Sequence, residues 1–87
     1  MPQRIVQIVN PLGLHARPAA KVAQTAARFA AEIEVRYGDV TANAKSILGV
    51  MTLAAPRGAE LTVSADGADA EAALDALAAL FAAGFGE

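Results

Sequence analysis

The segment Glu32-Ile33-Glu34-Val35-Arg36-Tyr37 alternates charged and apolar residues without interruption. A period of two means a strand with one wet face and one buried face, Ile33, Val35 and Tyr37 pointing inward. Glu60-Leu61-Thr62-Val63-Ser64-Ala65 repeats the pattern, and the β-branched run Arg4-Ile5-Val6-Gln7-Ile8-Val9 reads as another strand. Gly38-Asp39 is a two-residue hairpin signal leading into Val40-Thr41-Ala42-Asn43. Half-buried strands must be covered on one side, and the segments between them are suited to it.

Those segments have helical periodicity. From Ala16 to about Ala30, Val22, Ala26 and Phe29 recur at core-facing spacing, with Ala19, Ala23 and Ala30 beside them. Pro18 is tolerated in the first turn, where its missing N–H would have had no intrahelical acceptor. Lys45 to Leu53 reads as a short helix capped by Ser46, with Val50 and Leu53 in the core. A third helix runs from about Ala70 to Ala83, with Leu74, Leu77, Ala78 and Phe81 on one stripe, Asp69 as N-cap and Gly84 as its end. Asn10-Pro11-Leu12-Gly13 and Ala54-Ala55-Pro56-Arg57-Gly58 are loops. The expected order is β-α-β-β-α-β-α. The fold class is α+β, a two-layer open-faced sandwich with an antiparallel four-stranded sheet and three helices on one face.

Composition limits both size and chemistry. The 87 residues make one domain, 1–87, and 55% hydrophobic content suffices for a small core. Much of that content is alanine, so helix and sheet must approach closely around a few large side chains. There is no cysteine, hence no disulfide, thiolate metal site or redox motif. A net charge of −2 and few aromatic residues argue against a nucleic-acid partner. The N-terminal residues lead into a strand rather than an apolar signal region, and no stretch is long enough to insert into a membrane. A cytoplasmic location is expected. Nothing in the residues calls for a metal or a cofactor.

The only histidine, His15, lies directly before the first helix, followed at two residues by Arg17. A helix start presents N–H groups without intrahelical partners, at the positive end of the dipole. A cation there meets an unfavourable field, so Arg17 is better explained by an anionic ligand such as phosphate, which its donor fork fits. An imidazole beside an anion-binding helix end is suited to carrying a transient phosphoryl group.

Gly13-Leu14-His15-Ala16-Arg17-Pro18-Ala19 resembles the active-site motif of the HPr family, the histidine-containing phosphocarriers of the bacterial phosphoenolpyruvate-dependent phosphotransferase system. Lys45-Ser46-Ile47-Leu48-Gly49-Val50-Met51-Thr52-Leu53 is similar to that family's regulatory-serine helix, and the likeness covers essentially the whole chain. The resemblance implies an HPr-like fold in which His15 accepts a phosphoryl group from phospho-Enzyme I as a pros-phosphohistidine. It then passes the group to enzyme IIA domains during sugar uptake. Arg17 would stabilise the phosphate. Such a protein is a substrate of phosphotransferases rather than an enzyme.

The resemblance also implies that Ala16, Ala20, Ile47, Leu48 and Met51 form a partner-docking patch. Ser46 can be read as an ordinary N-cap or as a regulatory phosphoserine made by an HPr kinase/phosphorylase. Lys21, Lys45 and Arg28 can be read as solvated charges or as steering groups for acidic partners. Two other roles fit the same motifs: a regulatory module that docks a transcriptional regulator through phosphorylated Ser46, and the nitrogen-related branch of the system. His15 itself excludes regulatory homologues that lack the histidine. A monomer is expected, since a shuttle exposes one site alternately to two partners.

Overall fold

In the computed structural model, which describes residues 2–87, each alternating segment becomes a strand. The order is β1 (Gln3–Gln7), α1 (Ala16–Ala26), β2 (Glu32–Tyr37), β3 (Val40–Asn43), α2 (Ile47–Met51), β4 (Glu60–Asp66) and α3 (Ala70–Ala82), closing with a 3-10 turn at Gly84–Gly86. The sheet order is β1-β4-β2-β3, and every neighbouring pair is antiparallel. This is the open-faced α+β sandwich expected from the periodicities. Met1, the first residue of the expected domain 1–87, lies outside the described residues. Among the described residues no helix is long and apolar enough to cross a membrane.

Register sorts the side chains. Val63 lies opposite Val35 on one side and Arg4 on the other, and Leu61 lies opposite Val6. Val6, Leu61, Val63, Ala65, Ile33 and Val35 all face the helices and are buried. The outward rows are mostly polar: Gln3, Ser64, Glu34 and Asn43 stand side by side, and Glu32 directly opposes Asp66. α3 covers β1 and β4, while α1 packs on α2 and α3. Alanine permits the close approach, with Ala19, Ala26 and Ala73 fully buried. Phe81 and Phe85 fill the remaining space edge-to-face, ring centroids 4.9 Å apart.

Several boundaries differ from expectation, each for a local reason. β1 ends at Gln7 because Ile8 bonds to the loop before β4 instead: its N–H donates to Ala59 (2.9 Å) and its carbonyl accepts from Gly58 (2.7 Å). α1 ends at Ala26 rather than near Ala30. There the hydrogen bonds tighten, Arg28 N–H to Thr25 and Phe29 N–H to Ala26, and the N–H groups of Ala30 and Ala31 turn to the Asp69 carboxylate, each at 2.8 Å. Ala30 is consequently exposed rather than beside the core, and Phe29 is half-buried. The same bonds correct the role of Asp69: its side chain makes no cap bond to α3 and instead ties α3 to the segment leaving α1. Ser46 does cap α2, its Oγ accepting from Gly49 N–H at 3.0 Å. Gly84, at φ +62°, follows α3 in the left-handed conformation that ends helices.

Candidate functional site

His15 is the residue before α1, in extended conformation (φ −83°, ψ −170°), and its side chain does not cap the helix. Two features of the preceding loop hold it there. Gly13 has φ +71°, and a Cβ at that position would lie 2.4 Å from the Ala55 carbonyl oxygen, so only glycine fits. Leu14 is buried and its N–H donates to the same carbonyl at 2.9 Å. The histidine loop therefore rests on the segment leaving α2.

The imidazole is partly exposed and engaged on one side only. Nε2 lies 3.0 Å from Glu87 Oε2 and 3.3 Å from Oε1, with the two side chains 36% and 17% exposed. Nδ1 makes no hydrogen bond among the described residues. A carboxylate is an acceptor only, so in the neutral ring the contact places the proton on Nε2 and leaves the Nδ1 lone pair free. Glu87 is held in turn by Asn10, whose Nδ2 donates to Glu87 Oε1 (3.0 Å) and to the Gly13 carbonyl (2.8 Å). Burial acts to raise the Glu87 carboxyl. Hydrogen bonds from His15 and Asn10 and the charges of His15 and Arg17 outweigh it, leaving the group below its ordinary value.

Arg17 is exposed and has no ion-pair partner among the described residues. The N–H groups of Ala16 and Arg17 occupy the first two helical positions, where no acceptor exists one turn back. His15, Arg17, Lys21, Leu12 and Glu87 line one open cleft of ≈ 410 Å³. Lys21 does not lie free in it, because its ammonium donates to the Phe85 carbonyl. Lys45 likewise donates to Phe29 O at 2.8 Å, and Arg28 stacks over the Phe29 ring. A larger cleft of ≈ 500 Å³ along β2 and β3 is lined by Glu32, Glu34, Thr41 and Lys45 and lies apart from His15.

Of the expected docking residues, Leu48 is 73% exposed, Ile47 45% and Met51 37%. Ala16 is exposed and Ala20 half-buried, whereas Val50 of α2 and Leu53 just after it are in the core, as their spacing predicts. Leu12, an exposed apolar residue lining the histidine cleft, was not anticipated, although its place in the His15 loop was a signal. Asn10 offered only a weak signal, a polar residue closing an apolar run. Glu87 offered none, since 72 positions separate it from His15.

The family model described as the PTS HPr component phosphorylation site matches residues 2–83. The chain belongs to the PTS HPr family. The phosphocarrier protein HPr of Cupriavidus necator is 47% identical over 87 residues, covering 100% of this chain and 98% of the relative. Crystal structures agree. An HPr from Thermoanaerobacter tengcongensis superposes with a TM-score of 0.95 at 44% identity, covering 100% of this chain and 98% of that one. The HPr of Bacillus anthracis gives 0.87 at 48% identity, covering 92% and 95%. The HPr fold expected from the two motifs is thus the fold of this chain.

Proposed function

We propose that His15 is the phosphoryl acceptor of this HPr and that Nδ1 is the atom phosphorylated. The chain's role as a phosphocarrier of the phosphotransferase system follows from its family and from relatives that bear that name; the regulatory and nitrogen-branch alternatives are not favoured. The observation that carries the atomic assignment is the Nε2–Glu87 contact, which leaves Nδ1 as the ring nitrogen without a hydrogen bond. In the transfer step Nδ1 forms a bond to phosphorus as the N–P bond of phosphorylated Enzyme I breaks. The displaced imidazole departs with the electron pair. Passing the group to an enzyme IIA domain repeats the exchange in reverse, with His15 as leaving group.

The chain's contribution is positioning and charge. Arg17 and the N–H groups of Ala16 and Arg17 meet the phosphoryl oxygens, while the open cleft leaves them solvated and the bond easily passed on. Ile47, Leu48 and Met51, with Ala16 and Ala20, form the surface on which partners dock. A small apolar patch of this kind suits brief complexes. Phosphate on Ser46 from an HPr kinase/phosphorylase would add about −2 charge beside that patch and weaken docking. On this reading the single domain is a cytoplasmic monomer, a substrate of phosphotransferases that itself turns nothing over.

The test is incubation with phosphoenolpyruvate, magnesium and Enzyme I. Acid-labile, alkali-stable label on His15, absent in His15→Ala, is the expected result. A folded protein that takes up no label, or takes it up equally in His15→Ala, overturns the reading.

A further inference from the structure

Asn10 is the one buried polar side chain among the described residues, at 2% exposure, and its hydrogen bonding is lopsided. Both bonds come from Nδ2, while Oδ1 is buried with no partner. An orphaned buried acceptor is costly and therefore informative about what the side chain is for. Turning the amide over would not relieve it, since Oδ1 would then face two acceptors, the Gly13 carbonyl and the Glu87 carboxylate. The side chain is thus locked as a double donor by one contact inside its own loop and another 77 positions away.

We infer that Asn10 is a positioning residue for His15, acting through Glu87: it pins the carboxylate that holds the imidazole proton on Nε2 and so keeps Nδ1 unprotonated for phosphoryl transfer. The linkage is short and continuous. Asn10 Nδ2 reaches Oε1 of Glu87 at 3.0 Å, and the other oxygen, Oε2, meets His15 Nε2 at 3.0 Å. Its second bond, to Gly13 O, ties the arrangement to the loop that Ala55 fixes from below. Without Asn10 the Glu87 side chain retains its attraction to the imidazole but loses the donor that orients it.

The inference rests on Nδ1 being the acceptor atom, yet its readout is independent of phosphorylation. Ring 15N shifts and the one-bond N–H coupling of His15 are recorded at about pH 9, where an ordinary histidine is neutral. The wild-type ring is expected to show an almost pure Nε2–H signature with a slowly exchanging ring proton. Asn10→Ala and Glu87→Ala should each lose that signature toward the mixture of a solvated imidazole. Glu87→Gln, which keeps an acceptor, should restore part of it. The double variant should be no further changed than either single one, because the two residues act along one line. An unaltered signature in Glu87→Ala, or in a folded Asn10→Ala, overturns the inference. Should Asn10→Ala not fold, the exposed-side Glu87 variants and Asn10→Ser decide it in the same way. If the signature changes as expected but phospho-His15 does not form, the proposed function fails while the positioning role stands.

Discussion

The carboxylate of Asp69 accepts the N–H of Ala31 at 2.8 Å, binding the start of α3 to the segment between α1 and β2. With the Ala30 bond, it lets one side chain terminate one helix and locate another. Hydrogen bonding from Ala30 is the largest influence on this carboxyl and holds it below its ordinary value of 3.8, assisted by Ala31 and Lys45 against a raising effect of burial. A depressed folded value means the contribution is complete above the unfolded value and is lost as pH falls through the folded one. We predict that Asp69→Asn lowers the urea midpoint at neutral pH. The gap to wild type should shrink as pH drops from about 4. A constant gap across an acid titration would contradict this.

Phe85 is buried despite φ +59°, and its packing on Phe81 anchors the turn that presents Glu87. Phe85→Ala should cost about 3–5 kcal/mol, as for other large core aromatics. Urea unfolding followed by circular dichroism measures the loss. A cost under about 1 kcal/mol would show that the turn is not packed as described.

Ala54 also has a left-handed backbone, φ +50°, but it is exposed and has no burial to compensate. The left-handed conformation costs an L-residue roughly 1–2 kcal/mol, and glycine's extra unfolded freedom offsets roughly 0.5–1 of that. Ala54→Gly is therefore expected to stabilise the protein by about 0.5 kcal/mol. Ala54→Val should destabilise it, and thermal melts of the pair check both signs.

Among the described residues Arg17 makes no ion pair or side-chain hydrogen bond, so Arg17→Ala should change stability by less than about 0.5 kcal/mol. Its phosphorylation rate by Enzyme I should fall roughly ten- to a hundredfold. Arg17→Lys should recover only part, since an ammonium lacks the planar fork. Quench-flow labelling separates these outcomes.

Leu48 protrudes from α2 without contributing to the core. Leu48→Glu is expected to leave the melting temperature nearly unchanged while raising the Kd for Enzyme I at least about tenfold, as at an interface centre. Calorimetric titration gives the affinity, and an unchanged Kd would remove Leu48 from the docking surface.

The fold was readable wherever a single period ran unbroken. Glu32 to Tyr37 and Glu60 to Ala65 declared both their element and their inward face, and Ser46 marked the start of α2 correctly. Boundaries failed where distant groups intervened. Asp69 looked like a helix cap because caps are local, whereas its real acceptor role depends on Ala30 and Ala31, which only the folded chain brings near. The site divides in the same way. His15 and Arg17 belong to one contiguous motif, but Glu87 reaches the imidazole from the far end of the described chain, and no spacing rule connects them.

The outward face of the sheet has a consequence for traffic. Its rows of Gln3, Ser64, Glu34 and Asn43, with Glu32 set against Asp66, offer a stray neighbour little to grip beyond the lone side chain of Ile5. The exposed apolar side chains of Leu12, Ile47, Leu48 and Met51 belong instead to the His15 loop and to α2. A carrier shaped like this has a working side and a silent side: chance collisions on its back end in separation, and its time is left for the encounters that deliver cargo.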